Sequence, residues 1–212
     1  MLAFGTAVTD EDRYAAEALP GIRRVAPPGA MILTRRDMTL PAAYNAMLDE
    51  AAAVPDLDGL VLLHQDVELH DPGFAAAVTG ALALPEAGIV GVYGRRGATG
   101  VDEPGSAHVG HVRWGGPFEP EPPPTGPPVE AEFVDGMVLA LSPWAVRELR
   151  FDPRFAPHFH LYDRDVCFQA RAAGRRVLVL TTSVTHHFRR AALESRADFV
   201  EALLLLHRKW EG

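Results

Sequence analysis

Four short stretches of this 212-residue chain hold residue types that can do chemistry. His64-Gln65-Asp66 directly follows the apolar run Gly59 to Leu63, so Asp66 falls just beyond the carboxyl end of a strand. A carboxylate there can hold a divalent cation, which neutralises a diphosphate and makes it a better leaving group. An aspartate that only closes the next turn would occupy the same position. Asp135-Gly136 follows the strand-like Ala131 to Val134; its glycine would let a ligand approach the backbone, and a plain turn between strands gives the same dipeptide. Tyr162-Asp163-Arg164-Asp165 sets two carboxylates ahead of a helical stretch. Asp165 reads as the helix cap, which leaves Asp163 outside the helix and free to act as general base toward an acceptor hydroxyl. The neighbouring His158, Phe159, His160 and Tyr162 offer aromatic and polar surface to a sugar ring or another hydroxylated acceptor. His186-His187 closes a strand, where successive side chains face opposite sides, so one of the two enters the site. A histidine with Asp66 makes a mixed nitrogen and oxygen donor set suited to manganese or magnesium. His108 and His111 are a second candidate pair, with no cysteine nearby to make a zinc site.

These residues need a scaffold, and the pattern predicts one. Met1 to Val8 reads as a strand, and Thr9-Asp10 followed by Glu11 and Asp12 opens a helix that Pro20-Gly21 should end. Pro27-Pro28-Gly29 makes a turn into the strand Ala30 to Thr34, and Thr39 caps a helix with Tyr44, Met47, Leu48 and Ala51 on its inward face. Gly59 to Leu63 is apolar without alternation, the pattern of a strand covered on both faces. Asp71-Pro72 should cap a helix through Leu84, and Gly88 to Val92 the next strand. Residues 94–128 are rich in glycine and proline and read as a long loop, either a mobile flap over a site or a solvated linker. Val129 to Leu141 returns to strand in two pieces, and Ser142-Pro143 caps a helix to Arg150. Asp165 to Ala173, closed by Gly174, is a short helix with Val166, Phe168 or Gln169, and Ala172 inward; Val177 to Leu180 is a buried strand. Ala191 to Trp210 is an amphipathic helix with Phe199, Leu203, Leu206 and Trp210 on one face. Alternating strands and helices predict a single-domain α/β, Rossmann-like architecture over residues 1–212, with a mainly parallel central sheet and its ligands at the carboxyl edge.

Composition narrows the function. A net charge of −8, with no basic cluster beyond two adjacent arginines, disfavours nucleic acid as a partner. The longest apolar runs, such as Leu60 to Leu63 and Leu203 to Leu206, fall far short of the ~20 residues of a membrane span. The single Cys167 cannot form an internal disulfide, and no basic segment followed by an apolar stretch opens the chain, so the cytoplasm is the expected compartment.

Read in order, LPAAYNAMLDEA (40–51), GLVLLHQDVELHDPGF (59–74), FVDGMVLALSPWAVREL (133–149), FDPRFAPHFHLYDRDVCFQARAAGRRVLVL (151–180), VTHH (184–187) and HRKW (207–210) resemble the family 2 glycosyltransferases. The resemblance extends to a bacterial branch related to a streptomycin biosynthesis protein, in which a histidine–acidic–aspartate triplet takes the metal position. It implies the glycosyltransferase A fold, a nucleoside-diphosphate sugar donor, a hydroxylated acceptor, inversion of configuration, and Mn2+ or Mg2+ as cofactor. By the same resemblance Asp66 and His186 hold the metal, Asp163 is the base, and Asp135 positions donor or acceptor hydroxyls. Gly5, Thr6, Asn45 and Gly136 then line the donor pocket. The chain departs from the family at Gln65, inside the usual acidic triplet, and at Tyr162, within the usual acidic pair. A non-catalytic module that binds a sugar nucleotide or glycan is the alternative expectation.

Overall fold

The computed structural model describes residues 1–98, 101, 105–115, 126–187 and 196–212. Strand β3, Gly59–Leu63, is buried at all five positions because each face meets its own core. Leu60 and Leu62 join one apolar cluster and Val61 and Leu63 the other, as the two-residue period of a strand requires.

Around β3 runs a seven-stranded sheet. Its members in chain order are β1 (Leu2–Ala7), β2 (Met31–Arg35), β3, β5 (Ala87–Gly91), β9 (Val129–Ala131), β11 (Val138–Leu141) and β12 (Arg176–Val179). Across the sheet they lie in the order β2-β1-β3-β11-β5-β12-β9. β1 pairs in parallel with β2 and β3, and β12 with β5; β11 runs antiparallel between β3 and β5, and β9 antiparallel to β12. The parallel strands therefore end at one edge, and the reversed β11 starts there. The sheet is the mainly parallel one that the alternation predicts.

Two three-stranded sheets flank this edge. One orders β10 (Phe133–Val134), β6 (Tyr93–Arg96) and β7 (Ala107–Gly110); the other orders β4 (Val67–Leu69), β13 (Val184–His186) and β8 (Arg113–Trp114). The stretch 94–128, expected to be loop, thus contains strands, because strand pairing supplies backbone partners that local composition does not reveal. Residues 99, 100, 102–104 and 116–125 of that stretch lie outside the described residues. Val129 to Leu141 forms three strand pieces rather than two.

The helices depart from expectation where tertiary contacts outweigh local signals. Pro20-Gly21 does not end the first helix: α1 (Glu11–Arg13) passes through a π-helical turn, Tyr14–Ala18, into α2 (Leu19–Val25). Pro20 sits in the first turn of α2, where its missing N–H matters least. Gly21 packs on β4, since a Cβ there would lie 2.7 Å from the Leu69 nitrogen. Thr39 holds the cap position of α3 (Leu40–Ala52), but its side chain makes no capping bond; Tyr44, Met47, Leu48 and Ala51 are fully buried on that helix. Asp71 accepts from the Gly73 N–H at 2.7 Å and so closes a turn, and α4 starts later, at Phe74–Leu82. Ser142 does cap α5 (Pro143–Glu148), its Oγ accepting from the Ala145 N–H at 3.3 Å.

The largest departure is α6, Tyr162–Ala172, which begins before Asp165 and follows Leu161 in a left-handed conformation (φ 63°). Asp163 is therefore inside the first helical turn, not ahead of it, and Ala172 is exposed rather than inward. Asp165 is not a cap. It is fully buried, pairs with Lys209 Nζ at 2.8 Å, and accepts from Trp210 Nε1 at 2.9 Å, which fastens α7 (Arg196–Trp210) to the body. Ala202 and Leu206 are the buried positions of α7, and Phe199 is exposed; the expected start of this helix at Ala191 lies outside the described residues. No described helix is long and apolar enough to cross a membrane.

A capping aspartate and a buried anchor respond differently to truncation. Asp165→Ala is expected to cost about 2–3 kcal/mol in urea unfolding, because it leaves the Trp210 N–H without its acceptor and takes one of two carboxylates from Lys209, which keeps Asp152; loss of a cap alone would cost about 1 kcal/mol.

Candidate functional site

At the carboxyl edge of the parallel strands opens a cleft of about 1030 Å³. Ala7 and Thr9 beyond β1, Met38 to Leu40 at the start of α3, the 64–66 loop, Asp135-Gly136, residues 159–164 and His186 line it. This is where an α/β sheet of this winding presents ligand sites.

The 64–66 loop is held from three sides. The His64 N–H donates to the Met137 carbonyl at 3.1 Å, tying the end of β3 to the start of β11. Gln65 turns away from the cleft: its Oε1 accepts from the N–H groups of Thr9 (2.8 Å) and Asp10 (3.0 Å), and its Nε2 donates to Thr9 Oγ1 at 2.8 Å. The His187 N–H donates to the Asp66 carbonyl at 2.8 Å, which continues the antiparallel pairing of His186 with Val67. His64 and Asp66, two residues apart, thereby join His186, and one donor atom from each lies within 4.8 Å of the others. His187 faces the other way, with Nε2 3.1 Å from Glu68 Oε2.

Protonation suits a cation. Burial, with the neighbouring His186, pushes His64 down to about 4, so its ring is neutral near pH 7. Burial works against the Asp66 charge, but hydrogen bonding and charge from His186, with His64 and Arg13, outweigh it and hold the carboxyl at about 2. Neutral imidazole and ionised carboxylate are the states that ligate a divalent metal, so this donor set fits one. His64 joins the expected ligand pair of Asp66 and His186 as a third donor, and its signal is the two-residue spacing from Asp66 in one loop. His108 instead stacks on Tyr93, with its Nδ1 2.6 Å from the Tyr93 hydroxyl, and joins no metal-type group among the described residues.

A carboxylate pair faces the same cleft. Asp163 Oδ2 accepts from the Gly136 N–H and Oδ1 from the Arg164 N–H, each at 2.8 Å, and Asp135 Oδ1 accepts from the Met137 N–H at 2.9 Å. Burial and then the charge of Asp163 push Asp135 up to about 6, and burial also raises Asp163. The two titrate as a pair. Gly136 is a glycine because of a neighbour: a Cβ there would fall 2.2 Å from the Tyr162 hydroxyl. That hydroxyl lies 2.6 Å from His64 Nε2 and links the carboxylate side of the cleft to the metal-type cluster. Tyr162, which replaces an acidic residue of the family pattern, is thus part of the site.

Three residues expected in the donor pocket are placed elsewhere. Gly5 lies in β1 against α3, where a Cβ would meet Met47 Sδ at 2.5 Å, and Thr6 is fully buried. Asn45 closes a two-bond clamp on the Phe151 backbone, donating to its carbonyl at 2.8 Å and accepting from its N–H at 2.9 Å. None of them lines the cleft; Tyr44, one position before Asn45, does. Of the expected acceptor surface, Phe159, His160 and Tyr162 line the cleft, joined by the half-exposed Trp114, while His158 lies outside it near Glu201.

This sheet, with its metal-type cluster and carboxylate pair at the carboxyl edge, is of the glycosyltransferase A type. Two solved structures share the fold: GalNAc-T7 with UDP, GalNAc and Mn2+ (TM-score 0.70, 10% identity, 98% of this chain and 47% of that one), and the mannosyltransferase PcManGT from Pyrobaculum calidifontis with GDP-Man and Mn2+ (TM-score 0.56, 10% identity, 90% and 58%). The chain thus spans about half the length of each. No protein-family model matches the chain. It is 30% identical over 215 residues to the streptomycin biosynthesis protein StrF of Streptomyces griseus, a match covering 99% of this chain and 75% of that protein. The chain belongs to the StrF family.

The contact of Gly136 with Tyr162 yields a measurable cost. Gly136→Ala is expected to destabilise the fold by about 1–3 kcal/mol through overpacking against that ring. Gly80→Ala, in exposed helix with nothing within 4 Å of the added methyl, should stabilise it by about 0.5–1 kcal/mol. Paired urea titrations read both signs.

Proposed function

We propose that the protein is a metal-dependent glycosyltransferase that moves a sugar from a nucleoside-diphosphate donor to an acceptor hydroxyl, with inversion. The observation that carries this reading is the meeting in one cleft of a His–Asp–His cluster and a raised carboxylate pair, on a fold shared with structures bound to UDP or GDP-Man and Mn2+. His64, Asp66 and His186 would hold Mn2+ or Mg2+, which would supply charge neutralisation to a departing diphosphate. Asp163 takes the proton from the acceptor hydroxyl, and Asp135 accepts a hydrogen bond from a donor or acceptor hydroxyl. Phe159 and Trp114 offer faces to a sugar ring. Gln65 does not weigh against catalysis, since its amide is engaged with Thr9 and Asp10 rather than directed at the metal cluster. A single domain acting in the cytoplasm belongs to the same proposal.

Calorimetry with nucleoside diphosphates should show tighter binding with Mn2+ than with chelator. Asp66→Ala should abolish that difference and leave the thermal transition in place; equal affinity in both conditions rejects the metal role. Asp163→Asn fills the same volume and keeps one of its two backbone acceptor bonds, yet cannot take a proton. It should bind nucleotide and lose about 10²–10⁴ of the transfer rate. Because the raised carboxyl of Asp135 sits at about 6, the pair holds an extra proton below that value. Transfer should therefore fall as pH drops through about 6 and level off above it; a rate unchanged between pH 5 and pH 7 counts against this pair as the base.

A further inference from the structure

Arg13, the last residue of α1, reaches from the first helix to the metal-type cluster. It lines the cleft, and its side chain is 15% exposed. Its Nε pairs with Glu17 Oε2 at 2.9 Å, and Glu17 lies in the π-helical turn that widens this part of the helix. Its Nη2 lies 3.0 Å from Asp66 Oδ2 and donates to the His187 carbonyl. Nη1 has no partner among the described residues.

Asp66 divides its carboxylate between two neighbours. Oδ1 is 3.3 Å from His186 Nε2, on the side of the donor cluster, and Oδ2 faces Arg13. Arg13 therefore remains beside the cluster without taking the oxygen nearest His186. The other cleft arginine, Arg164, lays its guanidinium over the Phe133 ring, 4.4 Å from the centroid, and directs Nη1 toward the Val101 carbonyl at 3.5 Å.

Charge decides what Arg13 is for. A nucleotide-sugar diphosphate carries about two negative charges, and about three once it leaves. Asp66 and Glu17 beside Arg13, with Asp135 and Asp163 across the cleft, set carboxylates enough against a divalent ion that the ion alone leaves no positive charge over for a diphosphate. Arg13 adds a positive charge there and supplies a planar fork suited to phosphate oxygens.

We propose that Arg13 is a second cationic contact for the donor diphosphate, held beside the metal ligands by Glu17 and Asp66. This rests on the glycosyltransferase reading above, and the test separates the two. Calorimetry of UDP, GDP, ADP, CDP and dTDP, each with Mn2+, is run on the wild-type protein, Arg13→Gln and Arg13→Lys, alongside titration of Mn2+ alone. Arg13→Gln should bind the preferred diphosphate about ten- to hundredfold more weakly, and Arg13→Lys should fall between it and wild type. Mn2+ alone should bind Arg13→Gln as tightly as wild type or tighter, since Asp66 loses a competing cation. Unchanged diphosphate affinity in Arg13→Gln overturns the proposal while leaving the functional reading intact. A loss of Mn2+ affinity in step with diphosphate affinity also overturns it, because Arg13 then acts only by placing Asp66. If wild type binds none of the five, the functional reading falls and this proposal with it.

Discussion

The hydrogen bond between the Tyr162 hydroxyl and His64 joins elements far apart in the chain, and the cleft depends on it. His64 begins the loop after β3, while Tyr162 opens α6. Their 2.6 Å contact requires a residue without a side chain at position 136, since any Cβ there would overlap the tyrosine. The same backbone N–H of Gly136 then reaches Asp163. One ring thus fixes the spacing between the histidine of the metal-type cluster and the carboxylate opposite. Tyr162 packs in turn among Tyr44, Phe151 and Phe159, so the core behind the cleft sets the position of its chemistry.

The electrostatics of the cleft follow from where each carboxylate sits. Asp66 is close to histidines and an arginine and stays ionised well below the usual range. Asp135 and Asp163 are both buried, which makes each harder to ionise, and the charge of Asp163 adds to this at Asp135. One wall is thereby kept anionic for a cation and the other kept near the point of proton exchange. Carboxylates pushed in opposite directions within one pocket are the arrangement that the proposed division between metal binding and proton transfer calls for.

Much of the fold was legible in the residues. The apolar run of β3, the inward face of α3 and the Ser142 cap each depend on neighbours within a few positions, and local chemistry determines them. The place of Asp66 at a strand end, and the entry of one histidine of the 186–187 pair, were legible as well, because strand ends and side-chain alternation are short-range properties; that it is His186 was decided by the pairing of β13 with β4. Helix starts and stops were read less well. Pro20 continues a helix because a π turn precedes it, and Asp163 lies within α6 because Leu161 adopts a left-handed conformation that opens the helix early.

What the sequence by itself determined is the layered α/β pattern and the carboxylates that stand at the edge of its sheet, since period and spacing are local. Only the tertiary structure decided which of those residues meet. Asp165 reads as a cap until Lys209 and Trp210 arrive from the far end of the chain; Asn45 reads as a pocket residue until Phe151 takes both of its hydrogen bonds. His186 and Arg13 become neighbours of Asp66 only when β13, α1 and the β3 loop converge. A buried polar group must be satisfied by whatever the fold brings next to it, and that partner has no fixed distance in sequence.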